Sequence, residues 1–193
     1  MATIDAWRPH ADVAQISQGV PWRALLADTT AATLVRRDQK ELVALYRSRG
    51  LPLIIQLDVT DGLDRHAEAP ELVTLGRSIA EPAVQQVYRE YVAAIDSILH
   101  PEYLGLAMET NLIRAIAPAS LYAAVKALAA LGENTLVAQN STATRFISVQ
   151  VGTASGRLPD VGHFVGIDID RADFPYIKAL GLSSYLFLAG FVA

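Results

Sequence analysis

Tyr103-Leu-Gly-Leu-Ala-Met-Glu109, followed by Thr110 and Asn111, is an apolar run that ends on a carboxylate. Three other apolar runs turn polar toward their ends: Leu53-Ile-Ile-Gln-Leu-Asp58, Phe146-Ile-Ser-Val-Gln-Val151 and Ala179-Leu-Gly-Leu-Ser-Ser-Tyr185. Strands that are apolar on both faces belong in a parallel sheet covered by helices. In such sheets ligands gather at the carboxyl ends of the strands, where the runs turn polar. The runs therefore predict an α/β fold and the edge of it that carries function.

Helical patterns lie between them. Thr33 to Arg49 has helical spacing through Leu34, Leu42, Val43 and Tyr46, with Gly50 as a stop. Pro82 starts a helix through Leu99 that sets Val84, Val87, Tyr88, Tyr91, Ile95 and Ile98 on one face. Pro118 and Ser120 open another, striped by Leu121, Val125 and Leu128. Asp12 to Ser17 adds a short first strand, and Thr60 to Pro70 is a long polar loop. Gly132 to Thr144 reads as a polar linker, Gly152 to Gly166 as a Gly-rich βα loop, and Asp173 to Lys178 as a short helix. This alternation predicts parallel β/α units with right-handed crossovers, about five strands with flanking helices, in a single domain over 1–193.

Composition narrows the function classes. Of 193 residues, 52% are apolar and 19% charged, with a mean hydropathy of +0.28. That suits a core buried on two sides or an oligomeric contact surface. No apolar run reaches the roughly 18 residues of a membrane-spanning helix, so no membrane partner is expected. A net charge of −4 with 16 dispersed basic residues offers no footprint for nucleic acid. The absence of cysteine excludes thiolate nucleophiles, disulfides and Cys-based zinc sites. Met1 to Trp7 carries no leader pattern, so a cytoplasmic location is expected. Two open sheet edges predict a homo-oligomer that buries them or the apolar stretch 186–193.

Pro101-Glu-Tyr-Leu-Gly-Leu-Ala-Met-Glu109-Thr-Asn111 resembles the fourth-strand region of retaining glycoside hydrolases with (β/α)8, or TIM, barrels. There a Glu at this strand end, beside an Asn, is the general acid/base. Val20-Pro21-Trp22, Phe146-Ile-Ser-Val-Gln150 and Leu182-Ser-Ser-Tyr185 are similar to neighbouring parts of that family, and the likeness spans roughly residues 11 to 191. Met108 stands where the family has Asn, and Asn111 lies two residues after Glu109. The resemblance implies an incomplete TIM barrel holding the second to sixth strands. The seventh strand, whose end bears the family's nucleophile, is then not expected in this sequence. It implies a hydrolase of a small-molecule or carbohydrate substrate that needs no cofactor. The alternatives are a hydrolase of small esters or lactones, with water activated by a carboxylate or by a metal at the Asp168 cluster, and a non-catalytic carbohydrate-binding barrel remnant.

The candidate catalytic residues are Glu109 and Asp58. Retaining hydrolysis needs two carboxyl groups about 5–5.5 Å apart. Leu106, Ala107, Met108, Leu112 and Ile113 surround Glu109, and desolvation by such neighbours favours the protonated acid. A structural pairing with Arg114 is the other expectation. Asp58 ends the adjacent strand and faces the same mouth, or caps its loop. Gln56 and Gln150 sit in apolar strands and need partners, either sugar hydroxyls or each other. Trp22 offers a ring to a sugar face or belongs to the core. Asn111, Ser184 and Tyr185 complete the candidate substrate-binding set. His10, His66, His100 and His163 form no triad with Ser183 or Ser184, and no Gly-x-Ser-x-Gly is present. Asp168-Ile-Asp170-Arg-Ala-Asp173 suits either a divalent cation such as calcium or the acidic start of a helix. No metal site is assigned.

Overall fold

The computed structural model describes residues 6, 8–27, 29–157 and 167–185. Five strands, β1 (Ala14–Gly19), β2 (Leu53–Asp58), β3 (Tyr103–Gly105), β4 (Thr144–Gln150) and β5 (Ala179–Ser183), form one sheet. Their spatial order is β1-β2-β3-β4-β5, and every neighbouring pair is parallel. Helices α1 (Trp22–Leu26), α2 (Ala31–Asp38) and α3 (Lys40–Ser48) connect β1 to β2, and α4 (Pro70–Leu75) and α5 (Pro82–Leu99) connect β2 to β3. α6 (Thr110–Ile116) and α7 (Ala119–Ala138) lead to β4, and α8 (Val151–Ala154) and α9 (Asp168–Asp173) lead to β5. When spatial order follows sequence order and crossovers share one hand, all helices fall on one face. A doubly wound sheet would reverse its order partway. The architecture is an incomplete (β/α) barrel.

Side-chain alternation separates the two faces. Leu53, Ile55 and Leu57 of β2, Leu104 of β3 and Ile147 of β4 are fully buried. They share a continuous apolar cluster with Val84, Tyr88, Val92 and Ile95 of α5 and Val125 and Leu128 of α7. The alternate positions, Gln15, Ser17, Gln56, Ser148 and Ser183 among them, line a cavity on the inner face. Phe146 floors that cavity. A Cβ on Gly105 would stand 2.7 Å from its Cζ, and one on Gly181 would stand 3.0 Å from its Cε2. The ring takes up the space that side chains at Gly105 and Gly181 would fill.

β2 and α5 begin and end at the residues expected. Other elements differ, for local reasons. β1 starts two residues later than its apolar pattern suggested. The helix expected over 33–49 is two helices, broken at Gln39, where φ is −127° and ψ −27°. Gln39 is buried there, and its Nε2 donates to Gln18 Oε1 (2.9 Å) and the Tyr91 hydroxyl (3.0 Å). β3 is regular only over Tyr103–Gly105, although Leu106 N–H still donates to Phe146 O (2.9 Å) and Ser148 N–H to Ala107 O (3.1 Å).

Residues 132–138 are the last turns of α7 and no linker. Gly132 lets that helix close on the sheet, since a Cβ there would lie 3.0 Å from Leu106 Cδ2. The short helix before β5 covers Asp168–Asp173, not 173–178, and α8 occupies the start of the expected Gly-rich loop. The rest of that loop, 158–166, and the apolar stretch 186–193 lie outside the described residues. No described helix is long and apolar enough to cross a membrane.

Gly105→Ala is expected to cost about 1–3 kcal/mol, as overpacking of a filled core does. Urea denaturation should show it. Combining it with Phe146→Leu should cost clearly less than the sum of the two single changes, because the ring tip struck by the new methyl is gone.

Candidate active site

The strand ends converge on one buried guanidinium. Arg65 folds back from the loop after β2, and its Nη1 donates to Asp58 Oδ1 (2.6 Å) and Oδ2 (2.8 Å). Its Nε donates to Glu109 Oε2 (3.0 Å). Asp58, Arg65 and Glu109 are 8%, 5% and 5% exposed, so this is a buried carboxylate–guanidinium–carboxylate triad. Burial works against the Arg65 charge. The two carboxylates more than restore it, and the guanidinium titrates above its ordinary range.

The loop that delivers Arg65 is tied at several points. Thr60 and Glu68 pair across its base. The Asp61 carboxylate accepts from the N–H groups of Leu63 (2.8 Å) and Asp64 (3.1 Å). Glu68 accepts from the Ser78 hydroxyl (2.5 Å) and Ile79 N–H (3.3 Å), which fastens the loop near the start of α5. Thr60 Oγ1 takes a further bond from Arg65 Nη1 at 3.1 Å.

Glu109 ends no regular strand. It is the residue before α6, in the left-handed region with φ 49° and ψ 44°. For a residue with a Cβ that conformation costs on the order of 1–3 kcal/mol, and such strain concentrates at functional sites. Besides Arg65, four hydrogen bonds hold it. Its N–H donates to Ser148 Oγ (3.0 Å), its carbonyl accepts from the N–H groups of Leu112 (2.9 Å) and Ile113 (3.1 Å), and Ser183 Oγ donates to its Oε1 (2.6 Å).

The other expected residues divide between the mouth and the scaffold. Gln56 and Tyr185 line the inner cavity, of about 280 Å³, whereas Ser184 is exposed outside it. Asn111 grips β4 as an extra strand would: its Nδ2 donates to Gln150 O (3.0 Å) and its Oδ1 accepts from Gln150 N–H (2.8 Å). The Gln150 side chain accepts from Thr153 N–H and caps α8. Trp22 is 1% exposed and stacks on Tyr88 with ring centroids 6.2 Å apart, so it is a core residue with no face for a sugar.

Arg114 does not pair with Glu109. Its Nη2 lies 2.8 Å from Asp170 Oδ2, and Thr110 Oγ1 donates to the other oxygen of Asp170 at 2.8 Å. Asp173 instead accepts from the Tyr122 hydroxyl (2.8 Å) and Lys126 Nζ (3.0 Å). Desolvation would raise the Asp173 pKa, but these two donors overcome it and hold the carboxyl below its usual range. The aspartates of α9 thus face different partners. Among the described residues, no group of three or more His, Cys, Asp or Glu is placed to hold a metal.

Three residues of the candidate site escaped the sequence reading: Arg65, Ser148 and, as a partner of Glu109, Ser183. The one available signal was that two carboxylates ending apolar strands require a cation. No protein-family model matches this chain, and no curated protein matches it. What the protein does has to be read from this geometry.

Replacing Arg65 tests the triad. Arg65→Met leaves two buried carboxylates without their cation, a loss of about 3–5 kcal/mol by analogy with other broken buried pairs. Arg65→Lys keeps a charge but cannot bridge both groups, so urea midpoints should fall in the order wild type, Lys, Met.

Proposed function

We propose that this protein is a hydrolase of glycosides, with Glu109 as general acid/base and Asp58 as the partner carboxylate. The observation that carries the reading is the pair of carboxyl groups that the buried triad brings together at neighbouring strand ends, both on one guanidinium. Glycoside cleavage uses two carboxyl groups flanking the scissile bond. Ester or lactone hydrolysis develops an oxyanion that a cation would stabilise, and Arg65, the cation beside Glu109, directs its Nε and Nη1 at the two carboxyl groups and does not line the inner cavity.

Glu109 has the better placement for proton transfer. Asp58 is held by Arg65 and by two bonds from Thr60, whereas Glu109 shares its second oxygen with a single hydroxyl, Ser183. That hydroxyl lines the inner cavity, so a leaving-group oxygen entering there reaches Glu109 by displacing one hydrogen bond. Gln56 and Tyr185 are the substrate-binding residues of this reading, while Asn111 and Gln150 hold α6 and α8 in place. Among the described residues no strand pairs with the outer edge of β1 or β5, which fits a homo-oligomer. The likeness of 101–111 to the fourth strand of barrel glycosidases supports the same assignment.

Glu109→Gln keeps the shape and removes the acid. Activity on an unactivated glycoside should fall by about 10²–10⁴, with circular dichroism unchanged. Full activity in that variant sinks the assignment.

Chelation separates the reaction classes. Glycoside cleavage by carboxylates should survive EDTA undiminished. Hydrolysis of aryl esters or lactones that EDTA abolishes and calcium restores would replace the glycosidase reading with metal-activated water.

A further inference from the structure

The hydrogen bonds across the inner face run in one direction. Gln15 Nε2 donates to Ser17 Oγ (2.8 Å) and, at longer range, to Gln56 Oε1 (3.4 Å). With its oxygen turned toward Gln15, Gln56 presents its amide N–H to Ser148 Oγ. Glu109 N–H donates to the same oxygen at 3.0 Å. A serine hydroxyl has two lone pairs and one proton. Both lone pairs of Ser148 are taken, and among the described residues nothing accepts its proton. Ser148 is nevertheless buried and lines the cavity. A buried O–H without an acceptor is costly, and the open direction here is the cavity.

The lining defines what fits. Gln15, Ser17, Gln56, Ser148, Ser183 and Tyr185 are the polar side chains of the cavity, and none is a carboxylate, ammonium or guanidinium. The nearest charges, Glu109 and Arg65, are engaged with each other. A ligand carboxylate brought beside Ser183 would meet the Glu109 carboxyl group and, among the described lining residues, no cation to pair with. A neutral ring bearing several hydroxyls would match, since each hydroxyl both accepts and donates.

We infer that Ser148 is a positioning residue that holds the left-handed backbone of Glu109 and donates its own proton to an oxygen of a neutral polyhydroxylated ligand. The inference rests on the glycosidase reading for the role of Glu109. Ligand and acid are then joined through one atom. An acceptor drawing on the Ser148 O–H makes Oγ a better acceptor for the Glu109 N–H, because linked hydrogen bonds polarise one another. Binding would tighten the backbone of the residue that acts.

The test reads binding rather than turnover. Amide NMR spectra of the full chain would be recorded with glucose, galactose, mannose or xylose, and with glucuronate as the charged counterpart. At least one neutral sugar should shift the Glu109 and Ser148 amides saturably, and glucuronate should bind at least tenfold more weakly. Ser148→Ala should weaken that sugar about fivefold or more, the worth of one hydrogen bond, while Ser148→Thr, which keeps the hydroxyl, should lose clearly less. If no neutral sugar moves the Glu109 amide, or if Ser148→Ala binds as tightly as wild type, the inference is overturned. Should Ser148→Ala fail to fold, the wild-type shifts and the glucuronate comparison decide alone. Sugar binding at Ser148 in a chain that cleaves no glycoside would refute the hydrolase and leave this role standing. Cleavage that ignores the Ser148 substitutions would do the reverse.

Discussion

Arg65 between Asp58 and Glu109 is the interaction on which the candidate site depends. Two ionised carboxylates that sit buried and adjacent need a cation, because their desolvation and mutual repulsion both oppose the arrangement. The guanidinium suits this task through its planar fork, which presents Nε to one acid and Nη1 to the other. A lysine would supply the charge without the two directions. The consequence is a site whose ionic groups are prearranged before any ligand arrives, the condition under which electrostatic stabilisation is strongest.

The sheet makes that arrangement possible. Because the strands follow one another in space as they do in sequence, the ends of β2, β3 and β4 are neighbours, and their loops meet over one mouth. Asn111 and Ser148 then lock the loops together. One joins α6 to the last residue of β4, and the other joins the backbone of Glu109 to the inner face. Neither needs to touch a substrate for its loss to misplace the acid. The three-residue β3 is part of the same economy of space, since its early end allows the chain to turn and present Glu109 sideways.

Much of the scaffold was legible because its signals are local. β2 is a dense apolar run with a polar end, and α5 carries a strong helical stripe behind Pro82. Glu109 and Asp58 were legible as carboxylates ending apolar segments. Elements set by tertiary contact were not. Gln39 looks like an ordinary helix residue until it turns inward to Tyr91, and Gly132 looks like a helix stop until α7 is seen to press on Leu106. α6 spans too few residues to reveal a period. Arg65 was hidden for another reason: it sits among Asp61, Asp64, His66 and Glu68, and nothing in that polar stretch says which charge folds inward. Trp22 shows the opposite error, an aromatic beside the mouth in sequence that the core absorbs.

The loop bearing Arg65 also ties the lifetime of the site to a surface element. Apart from the ion pairs of Arg65 itself, its anchors are a bridge at its base, the turn around Asp61 and the grip of Glu68 on Ser78 and Ile79, and Leu63 at its tip is fully exposed. Segments with few buried contacts open at far lower free energy than the core they decorate. When this one opens, the guanidinium leaves with it, and the two acids lose their common counter-ion while the sheet and helices stay intact. Warming would therefore take the triad apart in a reversible, sub-global step, before the apolar core between sheet and helices gives way.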